Sequence, residues 1–240
     1  MMLIDASELD FRTLNERIRE AKGDCLITGC LGQRFIGAGL SSGLIKIGGI
    51  PGNALGAYLN GAEIITEGDA QDAIGDTMNG GRIVVHGSAG DAVGYAMRGG
   101  DIYIRDSAGY RAGIHMKEYR DKVPVMVIGG CTGSFLGEYQ AGGIIIVLGL
   151  NRGAKEIVGN FPCTGMHGGR MFLRCEPEEL RLPGQVVTKR ATEEDLAGIM
   201  PYLEEYCRLF DVELDSILGS GFTMITPDSK NPYKQMYVGN

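Results

Sequence analysis

Two consecutive stretches of the chain read GGRIVVHGSAGDAVGYAMR (residues 80–98) and GGDIYIRDSAGYRAGIHMK (residues 99–117). Both are 19 residues long, and glycine and apolar residues recur in them at the same positions. Units of this kind begin at Gly23, Ser42, Gly61, Gly80 and Gly99; after five extra residues the repeat resumes at Val123 and runs to Gly142, and after a longer insertion it recurs at Gly168. A fixed internal period indicates a fold made of stacked repeats, so the repeat decides the architecture.

Glycine occupies position 15 of every regular unit and is frequent at positions 8 and 11. The position-15 glycines are Gly37, Gly56, Gly75, Gly94, Gly113 and Gly137. We interpret the glycine columns as turns, because glycine adopts positive φ without steric cost. A phosphate-binding loop is disfavoured, because such a loop opens a helix after one strand, whereas these glycines recur in every unit.

Apolar residues at positions 4 and 6 predict one short strand in each unit. Typical pairs are Ile83/Val85 and Ile102/Ile104, and in the first unit the same count selects Leu26/Thr28. A spacing of two is that of a strand with one buried face. Further apolar columns, including methionines at position 18 (Met78, Met97 and Met116), are predicted to fill the core.

The predicted fold is all-β, a right-handed parallel β-helix in which a single-stranded solenoid makes about eight rungs. At roughly 4.8 Å a rung the stack would be about 35–40 Å long. Because the end rungs expose unpaired edges, we expect helical caps at both ends.

The regions flanking the repeat carry the signals expected of caps. Ser7 with Asp10 resembles a capping box before a helix over residues 7–20, and Thr192 with Asp195 offers a second one. Leu196, Ile199, Met200, Leu203, Cys207 and Phe210 follow at helical spacing, and Pro201, which interrupts this stretch, predicts a kink or two short helices. The final segment, TPDSKNPYKQMYVGN, has no periodicity and is predicted to be an extended arm.

These signals divide the chain into three regions and leave two interruptions in the repeat. The regions are an N-terminal helical cap (1–22), a glycine-rich β-helix (23–175), and a C-terminal strand and helix cap with the arm (176–240). The insertions at 118–122 and 150–167 break the smooth prism. We expect partner contacts at these insertions, because loops carry function more often than strands do.

Composition narrows the possible partners and location. The 240 residues carry a net charge of −7, which disfavours a nucleic acid partner. The N-terminus lacks the apolar core of a signal peptide, and no apolar run is long enough to span a membrane. The six cysteines include no Cys-x-x-Cys pair, so reduced thiols and a cytoplasmic location are predicted.

The repeats resemble the GXGXG domain, the β-helix at the end of the large (alpha) subunit of glutamate synthase. Similar repeats occur in a β-helical subunit of formylmethanofuran dehydrogenase. The tail favours the first family, because RLPGQVVTKRATEEDL (181–196) and PYLEEYCRLFDVELDSILGSGFTMITP (201–227) are similar to the end of the glutamate synthase domain. The matching stretches are Glu193–Leu196, Tyr202–Phe210 and Ser216–Pro227.

The resemblance implies a non-catalytic scaffold subunit of a split glutamate synthase, active in glutamate biosynthesis and nitrogen metabolism. In that family an amidotransferase domain with an N-terminal cysteine releases ammonia from glutamine. A barrel domain with FMN and an iron–sulfur cluster makes glutamate from 2-oxoglutarate, and the β-helix packs against both. Met2 follows Met1 here, so the cysteine nucleophile and the cofactors are expected in partner subunits. A homo-oligomer is compatible with the sequence.

No catalytic, cofactor-binding or metal-binding residue is assigned from the sequence, and two alternatives stay open. One is a β-helical subunit of formylmethanofuran dehydrogenase. The other is an enzyme that uses Cys163 and His167, in the loop PCTGMHGG, as nucleophile and base.

The remaining cysteines and histidines have simpler interpretations. Cys30 and Cys175 are separated by seven rungs, about 34 Å, and cannot share a metal. Cys25 and Cys207 are predicted to be small buried apolar residues. His86 is predicted to be an exposed strand residue, and His115 to face solvent or a partner.

Overall fold

Short strands dominate residues 1–228, the part of the chain that the computed structural model describes. The strands are β1 (Met2–Asp5), β2 (Cys25–Leu31), β3 (Leu44–Ile50), β4 (Asn60–Thr66), β5 (Asn79–Val85), β6 (Gly99–Ile104), β7 (Val125–Ile128), β8 (Ala141–Val147), β9 (Gly168–Leu173), β10 (Val186–Arg190) and β11 (Thr223–Pro227). The helices are α1 (Phe11–Ala21), α2 (Glu193–Ala197), α3 (Met200–Phe210) and α4 (Leu214–Leu218), with a 3₁₀ turn at Pro177–Glu179. None of these helices combines the length and hydrophobicity that crossing a membrane requires.

Strands β1 to β9 lie side by side in chain order, and every neighbouring pair is parallel. Each unit from β2 to β9 contributes one strand, so the chain makes about seven turns of a parallel solenoid. The predicted all-β β-helix is confirmed, whereas its right-handed sense stays a prediction.

The interior is a stack of the apolar columns that the repeat predicts. At position 4, Ile64, Ile83, Ile102 and Met126 are in register and buried. The methionines at position 18, Met78, Met97 and Met116, are also buried, which confirms their assignment to the core.

The first unit is one residue out of phase with the others, so the predicted pair Leu26/Thr28 is wrong. Cys25 pairs with Ile45 and Ile27 with Ile47, and Cys25 and Ile27 are the buried residues. An irregularity between Ile27 and Cys30 restores the 19-residue phase.

The position-15 glycines have the positive φ that was predicted, from +64° to +72°. Positions 13 and 17 also have positive φ without requiring glycine; Ala73 and Thr77 have φ of 58° and 53°. What distinguishes position 15 is that its side chain would point into the core. A Cβ on Gly75 would lie 2.5 Å from Cδ1 of Ile102, two units further along the chain.

At positions 8 and 11 the prediction of a positive-φ turn is wrong for Gly87, Gly90 and Gly109, whose φ is not positive. Glycine is needed there because an aspartate of the preceding rung passes close by. A Cβ on Gly90 would lie 2.1 Å from Oδ1 of Asp72.

A ladder of side-chain hydrogen bonds at position 12 joins successive rungs. Oδ1 of Asn53 accepts a hydrogen bond from the Asp72 amide at 3.3 Å, and Oδ1 of Asp72 accepts one from the Asp91 amide at 2.9 Å. Oδ1 of Asp91 then accepts from the Tyr110 amide at 2.8 Å. The ladder holds the turns in register from one rung to the next.

The N-terminal end is closed by a strand as well as a helix. The predicted helix over 7–20 begins instead at Phe11, because Asp10 rather than Ser7 is the N-cap and accepts from the amides of Arg12 and Thr13. Ser7 donates to Asp5. Residues 2–5, which were assigned to a helical cap, form β1 against β2.

The C-terminal region has two parts with different roles. Strand β11 pairs antiparallel with β9, and β10 pairs antiparallel with β11, so these two strands end the stack. Helices α2 to α4 instead cover the outer face of β6 to β9, where Tyr103, Ile146 and Phe172 are buried. The capping box at Thr192 and the separation of two helices near Pro201 are confirmed. Of the predicted arm, residues 229–240 lie outside the described residues.

The first insertion has the predicted bounds and is anchored to neighbouring rungs, whereas the second is shorter than predicted. Within 118–122, Lys122 donates to the Asn79 carbonyl at 2.8 Å and Glu118 accepts from the Gly143 amide at 3.0 Å. After the extra residues 150–156 the repeat resumes, because Val158 bridges to Thr132 of the preceding rung. The loop predicted over 150–167 is therefore a regular rung from residue 157 onwards.

Candidate functional site

Cys163 is a core residue, and the prediction of a Cys163/His167 nucleophilic loop is wrong. Cys163 occupies position 15 of the last rung, with φ of 60° and no exposed surface. Its Sγ lies 3.7 Å from Sδ of Met171, and burial raises the pKa of the thiol to about 12. Because the thiolate is the nucleophilic form, burial and the raised pKa both disfavour a role for this side chain as a nucleophile at neutral pH. His167 Nδ1 lies 3.0 Å from the Gly165 carbonyl oxygen.

The other cysteines are predominantly packing residues. Cys25 is buried as predicted, whereas Cys207, on α3, is only half-buried. Burial raises the pKa of Cys30 and of Cys175 to about 11. Residues 1–228 contain no cluster of three or more His, Cys, Asp or Glu residues that could hold a metal ion.

The two histidines of the regular units lie in different surroundings. His86 is half-buried and packs edge-on against Phe210 of α3, with ring centroids 5.1 Å apart, so the prediction of an exposed residue is wrong. The structure places His115 at the surface, stacked on Tyr139 at 5.1 Å with an interplanar angle of 9°.

A surface of ordered aromatic side chains lies on the turn side of the solenoid. We call it the aromatic face; it consists of Tyr95, Tyr110, Arg111, His115, Phe135, Tyr139 and Phe161. In one row the ring of Phe135 lies 5.3 Å from those of both Tyr110 and Phe161. In the other row His115 lies between Tyr95 and Tyr139.

An ion pair joins the two rows. Arg111 Nε lies 2.9 Å from Oε2 of Glu138, whose side chain is only 8% exposed. The Arg111 guanidinium also lies 5.0 Å from the centroid of the Tyr110 ring and 5.5 Å from that of Phe135. The pair neutralises itself and fixes the two rows as one surface.

Carboxylates lie directly beside this surface. At position 12 the ladder runs from Asp72 and Asp91 into Tyr110 of the aromatic face, and both aspartates are exposed. Within residues 1–228, neither aspartate forms an ion pair.

The aromatic face was not predicted, although the sequence contained a signal for it. Its members fall at positions 12, 13, 16 and 17, which point outward and which the repeat does not constrain. Comparing the units column by column would have shown that alanine and aspartate in the third and fourth units give way to aromatic residues in later ones.

The loop 150–156 forms one wall of a surface cleft of about 480 Å³. Arg152, Lys155 and Arg181 line it together with Glu156 and Glu179, and Arg152 pairs with Glu179 at 2.7 Å. Cations and carboxylates are nearly balanced, so the cleft presents no strong charge preference.

Together the fold and this surface define a class of protein, a parallel β-solenoid of glycine-turn repeats with one side covered by helices and an aromatic surface on another. Residues 15–228 match the family described as the GXGXG motif. The chain therefore belongs to the GXGXG family, that of the C-terminal domain of the glutamate synthase α subunit. It is also similar to uncharacterized protein MJ1350 of Methanocaldococcus jannaschii, with 45% identity over 251 residues that cover 99% of this chain and 96% of the relative.

Proposed function

We propose that this protein is a non-catalytic scaffold subunit of a split glutamate synthase. It packs against an FMN and iron–sulfur synthase subunit and a glutamine amidotransferase subunit. The observation that carries the proposal is the extent of the family match, which continues from the solenoid through α2–α4 to residue 228. The glycine repeat alone is shared with formylmethanofuran dehydrogenase, whereas the helical tail favours glutamate synthase.

In this function the chain positions the partner subunits, and those subunits carry the catalytic groups. FMN, the iron–sulfur cluster and the amidotransferase cysteine belong to the other subunits, and the assembly acts in the cytoplasm in glutamate biosynthesis and nitrogen metabolism. Ammonia released at one site must reach the other without escaping into solvent. A solenoid suits that task, because ladder bonds between its rungs couple the surfaces that hold the two partners.

Reconstitution tests the proposal directly. We expect the purified chain to bind the two partner subunits and to raise glutamine-dependent glutamate formation, leaving ammonia-dependent formation unchanged. The Cys163→Ala variant should give the same stimulation, because the thiol is buried and not a nucleophile. An unchanged ratio of the two activities would contradict the proposal.

Co-purification separates this function from the alternative assembly. The tagged chain should retain an FMN-containing subunit. Retention of a molybdenum- or tungsten-containing subunit instead would replace the proposal with a role in formylmethanofuran dehydrogenase.

A further inference from the structure

We infer that the aromatic face and the carboxylates beside it dock a partner protein through an arginine-bearing surface of that partner. The inference adds to the proposed function the chemistry of one contact between subunits, and it rests on that function for the identity of the partner. The chemistry of the contact follows from the residues of the aromatic face and the carboxylates beside it.

The rings of the aromatic face are exposed and held in fixed positions. Phe161, Tyr95 and Tyr110 are 63%, 40% and 37% exposed. Phe135 and Phe161 have φ of 62° and 57°, and His115 and Tyr139 have 55° and 53°, in turns bonded to neighbouring rungs. Rigid exposed aromatic rings are typical of the centre of protein interfaces, because ordering them on binding costs little entropy.

Charge decides which occupant fits. Asp72 and Asp91 are exposed and form no ion pair within residues 1–228. In Asp72 and Asp91 the ladder engages Oδ1 and leaves the second oxygen for an incoming donor. The only cation within the aromatic face is Arg111, which Glu138 neutralises. A complementary surface must therefore be positive.

Arginine fits this surface better than lysine does. A guanidinium can stack on a ring and donate two parallel hydrogen bonds to a carboxylate, whereas an ammonium acts as a point charge. The chain already shows a guanidinium that contacts rings and a carboxylate together, since Arg111 lies over Tyr110 and Phe135 and forms an ion pair with Glu138.

Two other occupants are disfavoured by the same charges. A second copy docked about a two-fold axis through this surface would bring like carboxylates together. A nucleic acid would bring phosphates against them.

The chain provides a matched way to remove the charge while keeping the fold. Asn53 makes the ladder bond with an amide oxygen, so Asp72→Asn with Asp91→Asn preserves the acceptor and removes two charges. The control is Glu193→Gln with Glu194→Gln, which removes two exposed charges on α2. Far-UV circular dichroism and the melting temperature should be unchanged in both double variants.

The first measurement is the affinity for the reconstituted synthase and amidotransferase subunits. We expect the Asp72/Asp91 variant to bind about tenfold more weakly, with a smaller dependence on salt, and Phe161→Ser to bind about tenfold more weakly at all salt concentrations. The control variant should bind like the wild type. Unchanged affinity in both test variants would overturn the docking surface and leave the proposed function standing.

If those subunits do not bind, the proposed function fails and the surface is judged with a defined probe. Hexa-arginine peptide is titrated into the full chain by isothermal calorimetry, with hexalysine as a comparison. Weaker hexa-arginine binding by the Asp72/Asp91 variant than by the control, and weaker binding of hexalysine by the wild type, support the inference. Equal hexa-arginine binding by both variants, or binding of a single-stranded DNA oligonucleotide at Phe161, overturns it.

Discussion

Gly75 and Gly94 occupy the same position of successive units and have nearly the same φ, 67° and 68°. They differ in what a side chain would meet. A Cβ on Gly75 would lie 2.5 Å from Ile102 Cδ1, whereas on Gly94 the nearest atom is Met126 Sδ at 3.6 Å. The pair therefore separates the cost of the torsion from the cost of crowding.

We expect Gly75→Ala to reduce the free energy of unfolding more than Gly94→Ala does. Both substitutions place alanine in the left-handed region, at about 1–2 kcal/mol each. Only Gly75→Ala also forces Ile102 to move, which adds about 1–3 kcal/mol. Urea denaturation of the two variants measures the difference, and equal losses would mean that φ alone explains the glycine column.

Cys163 gives a prediction about chemical reactivity. Its thiol is fully buried with a pKa raised to about 12, whereas Cys131 is half-buried. We expect iodoacetamide at pH 8 to modify native Cys131 at least tenfold faster than Cys163, because accessible thiolate is the reacting form. Peptide mass spectrometry after timed quenching measures both rates, and in denaturant the two should react alike. Fast native modification of Cys163 would restore the nucleophilic loop.

The same thiol links stability to alkaline pH. The folded pKa of Cys163 is raised from 9.0 to about 12. The folded state therefore holds its proton more tightly, and this contribution to stability is complete below pH 9. It is lost as the pH rises from 9 towards 12, because the unfolded thiol ionises first.

Tyr206 is one of the residues that anchor helix α3 to the solenoid, together with Glu205, which pairs with Arg82, and Phe210, which packs on His86. The Tyr206 hydroxyl donates to the Arg105 carbonyl at 2.8 Å, and Gly129 leaves the space through which it passes. We expect Tyr206→Phe to lower the free energy of unfolding by about 1–3 kcal/mol, because the substitution leaves the carbonyl oxygen without this donor.

Tyr202 on the same helix provides the control for this anchor. Its hydroxyl has no hydrogen-bond partner within residues 1–228. Tyr202→Phe should therefore cost less than Tyr206→Phe in the same thermal or urea denaturation experiment. If both changes cost the same, the bond to Arg105 does not anchor α3.

Strands that belong to the repeat were predictable from sequence, because the same columns recur in each unit. Strand β1 occurs once, with no second copy to reveal its phase, and its pairing with β2 depends on tertiary contact. The last rung was not predictable in this way, because the seven residues 150–156 shift the phase and Cys163 replaces the expected glycine.

The candidate surface was less predictable than the fold. The core constrains inward positions to apolar side chains, so their pattern predicts strands. Outward positions such as those of Tyr110 and Phe161 face no such constraint, and their proximity follows only from the stacking of rungs. The cover formed by helices α2–α4 was partly predictable from the sequence. The outward residues Tyr103, Ile146 and Phe172 are apolar, which indicates that something covers them, but their pattern does not say which element does so.

Across the whole molecule, the two ends of the solenoid are not equally protected. Strands β7 and β8 are buried on both faces under α2–α4. On the outer face of β3 and β4, by contrast, the side chains of Lys46 and Ile65 are half-exposed. We expect amides of β7 and β8 to exchange with solvent deuterium more slowly than those of β2 and β3, because local opening there exposes more apolar surface. Native-state hydrogen exchange with mass spectrometry measures this, and equal protection along the stack would contradict it.

The reversal of strand direction at β11 also limits how far the molecule can grow. A stack of parallel rungs is a template on which another molecule's first strand could continue, and such head-to-tail addition produces open fibres. Here β1 offers a parallel edge at one end, but the outermost strand at the other end, β10, belongs to an antiparallel pair with a different hydrogen-bond spacing. Lys189 and Arg190 on that strand are held by Asp195 and Glu176, which keeps charged groups at the terminus. The two ends therefore do not match, which disfavours growth of the solenoid into a filament by head-to-tail addition.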